Sequence, residues 1–258
     1  MAAKKKTVSR GPTPKVREQA LAVQERLSRA IPDPHVELKF VDAWQLLIAT
    51  IMAAQSTDRM VNKVMVDVLA RWPDPASLAA APQEQVEEVI KSTGFFRNKA
   101  KAIREASRVI VERFGGKVPR TIDELMELPG VARKTANVVL GAAYGVSAGI
   151  AVDTHAARVS QRLALTKEKD PVKIEAALCA LYPHEEWTVM GHRFVLHGRY
   201  VCTAKTPRCE DCPLNELCPS REAPPKGKWT DRADRIALEM DSRSEGFPRL
   251  KRSNPPRK

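Results

Sequence analysis

Apolar residues in this 258-residue chain recur every three or four positions in short blocks, and most blocks are closed by proline or glycine. That pattern admits helices and little else. Val16, Ala20, Val23 and Leu27 mark one helical face from Pro14. It ends before Ile31-Pro32-Asp33-Pro34, because a residue preceding proline is pushed out of helical backbone space. Asp42 can cap a second helix with Trp44, Leu47, Ile48, Ile51 and Met52 inward, and Asp58 opens a third carrying Val61, Val64, Met65 and Val68. Breaks at Pro73 to Pro75, Gly94 and Gly115-Gly116 separate further helices, and residues 171–181 and 185–201 read as two more. Alternation of period two is nearly absent, so the chain is expected to be all-α.

One pair of these helices carries chemistry. Thr121 with Glu124 three residues on is a capping-box pattern that opens a short helix through Leu125 and Leu128. Pro129-Gly130 ends it, and residues 135–143 read as a second helix with Ala136, Val139, Leu140 and Ala143 on one side. Two helices joined by a tight glycine turn leave the amides of Gly130 to Ala132 unpaired at a helix start, where the aligned peptide dipoles favour an anion such as a DNA phosphate. Lys134 lies in the first turn of that helix, where the dipole works against an ammonium, which makes it a candidate amine nucleophile. Asp153 follows the apolar run Ile150-Ala151-Val152 and precedes Thr154-His155, so it is expected to N-cap the next helix with its carboxylate fixed in place.

Four of the five cysteines, Cys202, Cys209, Cys212 and Cys218, fall in the spacing C-x6-C-x2-C-x5-C. Crowding of this kind indicates metal rather than disulfides. Zinc sites more often show two C-x2-C pairs, so the spacing favours an iron–sulfur cluster and leaves zinc as the alternative. Lys205 and Arg208 stand between ligands, placed for phosphate contact or for offsetting cluster charge. Cys179 stands apart in an apolar helical pattern.

The net charge of +12 points to a polyanionic partner. Residues 1–15 and 221–258 each carry about +5 of it, so both ends are expected to be basic flexible tails. No stretch reaches the roughly 18 apolar residues of a membrane span, and the N-terminal lysines precede no apolar segment, so an intracellular protein is expected.

Taken together, residues 128–140, Val152-Asp153-Thr154-His155 and the four-cysteine pattern resemble endonuclease III, a family of bifunctional DNA glycosylase/AP lyases in the helix-hairpin-helix superfamily. Residues 54–58 with Asn62-Lys63, and 94–100, extend the likeness, which covers about residues 16–220. The resemblance implies a six-helix barrel domain over 36–146 and a cluster domain made of 16–35 plus 147–220, with one 4Fe-4S cluster on the four cysteines. It implies removal of oxidised pyrimidines from double-stranded DNA and cleavage at abasic sites, through a Schiff base on Lys134 assisted by Asp153. DNA contacts are implied at Gln55, Phe95, Leu128, Gly130, Ala132, His155, Lys205 and Arg208, with Gln55 and Phe95 wedging the duplex; Phe96 is the alternative wedge. A monomer is expected, in the cytoplasm at the nucleoid if the source is bacterial. The competing readings are a non-catalytic hairpin DNA-binding module and an adenine glycosylase of the same superfamily, the latter disfavoured by the presence of Lys134.

Overall fold

The computed structural model describes residues 11–244, 246–247 and 250. Among the described residues the chain is all-α, with short 3-10 turns and no strand. Two apolar cores divide the helices. The first is built by α2 (Ala43–Ala53), α3 (Asp58–Arg71), α4 (Pro75–Ala80), α5 (Gln83–Ile90), α6 (Phe96–Phe114), α7 (Ile122–Met126) and α8 (Arg133–Tyr144). The second gathers α1 (Pro14–Ala30), α9 (Thr154–Arg162), α10 (Pro171–Cys179), α11 (Trp187–Tyr200) and α12 (Trp229–Ser244). The chain therefore starts in one core, builds the other, and returns.

The caps explain why the helices start where they do. Asp42 accepts from the Gln45 amide at 2.8 Å, and Thr57 from that of Met60 at 3.2 Å. Each satisfies an orphan donor of a first turn. The hydroxyl of Thr121 both accepts from the Glu124 amide and donates to its carboxylate at 2.6 Å, which fixes α7 ahead of the hairpin.

The two cores are joined tightly behind the hairpin. A Cβ at Gly141 of α8 would lie 2.5 Å from Thr188 Cγ2, so only glycine lets α8 and α11 approach this closely. Beside that crossing, buried Glu175 of α10 accepts from Arg133 Nε at 2.8 Å and from Asn137 Nδ2 at 3.0 Å. Two residues of the hairpin helix are thus held by the opposite core.

Two expectations about the ends are corrected. The N-terminal tail is shorter than expected: Thr13 caps α1, so Pro14 and Lys15 are already helical, while residues 1–10 lie outside the described residues. The C-terminal stretch from 221 is not a free tail over its described part. It forms α12, which packs on α1 and buries Ala233, Ile236 and Met240. The basic residues of 251–258 lie outside the described residues.

Candidate active site and cluster loop

At the hairpin, Leu128 and Val131 are buried in the first core and pin the turn between them. Gly130 has φ of +77°, and a Cβ there would meet Ala102 Cβ at 2.8 Å, so both backbone and space require glycine. Ala132 is the N-cap of α8 with φ of −91° and ψ of 167°, extended backbone that any residue adopts. It offers no side-chain acceptor, so the first-turn amides of α8 are left for an outside anion. Leu128, expected among the DNA contacts, has its side chain in the core.

Lys134 and Asp153 meet where the two cores face each other. Asp153 N-caps α9 as expected: one carboxylate oxygen accepts from the amides of His155 and Ala156 at 2.8 and 2.9 Å. Its other oxygen lies 4.0 Å from Lys134 Nζ. The cap thus uses one lone-pair face of the carboxylate and aims the other at the amine. Both residues line a cleft with walls from both cores, including Val36, Thr50, Val138 and Ala151 on one side and His192, Val195 and Leu196 on the other.

The cleft also contains groups that sequence reasoning missed. His192 is buried, and burial pushes it down to about 4; the neighbouring Lys134 charge acts in the same direction while Asp153 opposes it. A neutral imidazole therefore faces the space beside Lys134 near pH 7. At one end Arg199 of α11 bridges Glu37 and Asp58 of the first core, and Tyr200 donates to Glu37 as well. Burial works against the Arg199 charge, but Asp58 and Glu37 more than offset it and hold the guanidinium above its usual value. A signal for these residues was present: His192, Val195, Leu196 and Arg199 fall at i, i+3, i+4 and i+7, one helix face turned into the cleft.

Gln55 and Phe95 share an unusual backbone. Their φ values are +53° and +48°, and only Ala164 joins them among the described non-glycine residues with positive φ. Left-handed backbone in a glutamine and a phenylalanine stores strain that the surrounding loops must hold. The Phe95 side chain is 67% exposed, whereas Phe96 packs against the first core. Below Phe95, buried Lys99 donates to the Thr93 carbonyl at 2.7 Å and fixes the loop; burial pushes its amine down. Gln55 is exposed, and the next residues, Ser56 and Thr57, line a second, wider space with His155 and Tyr200. That space shares Glu37, Asp58 and Arg199 with the cleft of Lys134, so the loop of Gln55, His155 and the cleft adjoin.

The four cysteines line one pocket, together with Val201, Pro207 and Arg162. Among the described residues no group of three or more His, Cys, Asp or Glu side chains is arranged to hold a single metal ion. Four thiols converging on one pocket are a donor set that fits a cubane cluster. Burial pushes the Cys212 and Cys218 thiols up, and the other cysteines of the loop add to it, so their thiolates need the positive charge of bound iron. Arg162 at the end of α9 donates to Cys202 Sγ at 3.3 Å and to the Thr203 carbonyl at 2.8 Å, tying the loop to the helix that Asp153 starts. Lys205 is exposed. Arg208 is not free for phosphate: Glu239 of α12 takes it with two hydrogen bonds, at 2.8 and 3.0 Å.

The chain matches a model of the HhH-GPD superfamily of base excision DNA repair proteins over residues 48–184, and one for the iron-sulfur binding domain of endonuclease III over residues 202–218. It is 48% identical to the endonuclease III of Synechocystis, over 80% of this chain and 94% of that one. The chain belongs to the endonuclease III family. Among solved structures, a non-covalent endonuclease III–DNA complex is 41% identical with a TM-score of 0.77, covering 80% of this chain and 96% of that one. A trapped endonuclease III–DNA covalent intermediate is 40% identical with the same TM-score, covering 80% of this chain and 97% of that one.

As a member of this family, the protein is a base excision repair enzyme, a bifunctional DNA glycosylase/AP lyase with one 4Fe-4S cluster. The expected all-α helix-hairpin-helix fold holds, and neither a non-catalytic hairpin module nor an adenine glycosylase is favoured. The iron-sulfur match ends at residue 218, before α12 begins.

Proposed function

We propose that the enzyme removes oxidised pyrimidines from double-stranded DNA and cleaves the resulting abasic site, with Lys134 as nucleophile and Asp153 as its acid–base partner. The observation that carries this is the 4.0 Å approach of Lys134 Nζ to the free oxygen of a capped Asp153 in a cleft between two cores. Asp153 accepts a proton from the Lys134 ammonium, and the freed amine attacks C1′ of an extruded nucleotide. The bond from C1′ to the base breaks, and the base leaves with the bonding electrons and takes up a proton. Loss of the second amine proton and opening of the sugar at O4′ give an iminium on Lys134. Removal of a C2′ proton then expels the 3′ phosphate, cutting the strand, and water hydrolyses the iminium to release the lysine.

Extrusion costs a few kcal/mol, least for a weakly paired damaged base, and leaves a hole in the stack. Phe95 has the exposure to stack in that hole, and Gln55 an amide that can pair with the orphaned base. The unpaired amides after Gly130 and Ala132 take a phosphate, with His155 and Lys205 as further contacts on the duplex. Neutral His192 is set to hydrogen-bond the extruded pyrimidine. The two cores correspond to two domains, 36–146 and 16–35 with 147–220, and α12 adds to the second. The protein works as a monomer at the nucleoid, where a bacterial chromosome presents its lesions.

A single-turnover lesion panel tests the substrate class. Duplexes with thymine glycol are expected to release base and be nicked, while undamaged duplexes and adenine mispairs are not; release of adenine alone would overturn the reading.

A further inference from the structure

We infer that residues 222–244 form a clamp that holds the cysteine loop closed around its cluster, with Arg232 as the positioning residue. The cluster loop between Cys202 and Cys218 contains only two one-turn 3-10 pieces, so its own hydrogen bonds give it little resistance to opening. The clamp lies beyond the family match and runs along that loop contact by contact. The Glu222 amide donates to Cys209 Sγ at 3.4 Å. Asn215 joins the carbonyls of Cys209 and Ala223, at 2.7 and 2.8 Å. Lys226 pairs with Glu210, and Arg235 lies 3.5 Å from Asp211.

Arg232 is the centre of this seam. It is fully buried, although arginine is among the residues least often found without solvent. Its Nε donates to the carbonyl of the cluster ligand Cys212 at 3.0 Å, Nη1 to the Gly227 carbonyl, and Nη2 to Glu216 at 2.5 Å. Glu216 is also taken by Arg26 of α1 at 2.5 Å, and α12 is bound to α1 through Arg29 and Asp234. The loop, α12 and α1 therefore share one charge network. A planar fork that reaches a ligand's carbonyl, a helix-start carbonyl and a loop carboxylate at once fixes the backbone on which Cys209 and Cys212 sit. Glu239 closes the far end on Arg208, and so withdraws that cation from DNA.

The test uses the full-length holoprotein and follows decay of cluster absorbance near ~400 nm under a ferrous chelator in air, with far-ultraviolet circular dichroism in parallel. Arg232→Met is expected to lose the cluster on the order of ten- to a hundredfold faster, because it strands buried acceptors, while the helical signal persists. Arg232→Lys should recover part of that, since it keeps the charge but not the fork. Glu239→Gln, at the partly exposed end of the seam, should fold in any case and lose cluster about two- to fivefold faster. Wild-type decay rates in Glu239→Gln and in any folded Arg232 variant would overturn the inference, as would cluster loss that follows rather than precedes loss of helix.

Discussion

Replacing Gly130 by alanine adds a single methyl group, and the structure gives two reasons for it to be costly. The backbone there has φ of +77°, where an L residue pays about 1–2 kcal/mol. The new Cβ would also sit 2.8 Å from Ala102 Cβ and 3.4 Å from Ile51 Cγ2, overlap in a packed core that costs about 1–3 kcal/mol. Gly130→Ala is therefore expected to destabilise by about 2–5 kcal/mol and to weaken DNA binding, because the turn that presents the amides is the part displaced. Urea unfolding read by circular dichroism measures the first effect. Ala132→Gly, two residues on at φ of −91°, is the control: glycine's advantage over alanine at an N-cap opposes its cost in unfolded-chain entropy, so stability should change by less than about 1 kcal/mol. Ala102→Gly separates the two contributions. Alone it costs about 1 kcal/mol as a helix-interior glycine, but combined with Gly130→Ala it removes the overlap, so the pair should lose less than the sum. Additive losses, or a Gly130→Ala cost below about 1 kcal/mol, would refute the reasoning.

Three further expectations concern the cleft and the Phe95 loop. Asp153→Asn keeps a good N-cap and should leave stability within about 0.5 kcal/mol, while slowing the covalent step by about 10²–10⁴-fold in single-turnover assays. His192 is pushed down to about 4 in the fold from an ordinary 6.5, so the unfolded chain binds the extra proton between those values. Its contribution to stability is whole above pH 6.5 and falls by up to about 1.4 kcal/mol per unit as pH drops toward 4; His192→Gln should flatten that part of a pH-dependent unfolding series. Phe95→Ala removes a largely exposed ring and should barely change stability, yet weaken lesion-duplex affinity by about 1–3 kcal/mol in titrations, the value of one stacked base.

The local signals in the sequence carried far. Pro and Gly breaks with caps at Asp42, Thr121 and Asp153 located the helices, because a cap is read within three residues of its own position. Lys134 and Asp153, which the fold brings to 4.0 Å of each other, were legible for the same reason. What lay beyond reach depended on contacts distant in sequence. Arg208 reads as a phosphate ligand until Glu239 is brought to it across the fold. The stretch after 221 reads as a basic tail because its charges dominate the composition, although Trp229, Ala233, Ile236 and Met240 keep helical spacing. Lys226, Arg232 and Arg235 are spent on loop acids and carbonyls, which no local pattern reveals.

The claim on which the account turns is that Lys134 forms the Schiff base. Borohydride trapping on a duplex carrying an oxidised pyrimidine tests it most directly, with wild type, Lys134→Ala and Asp153→Asn compared side by side. The account predicts a covalent protein–DNA complex from wild type, a slow yield of the same complex from Asp153→Asn, and none from Lys134→Ala. Undiminished trapping by Lys134→Ala, or no complex from wild type, would contradict it.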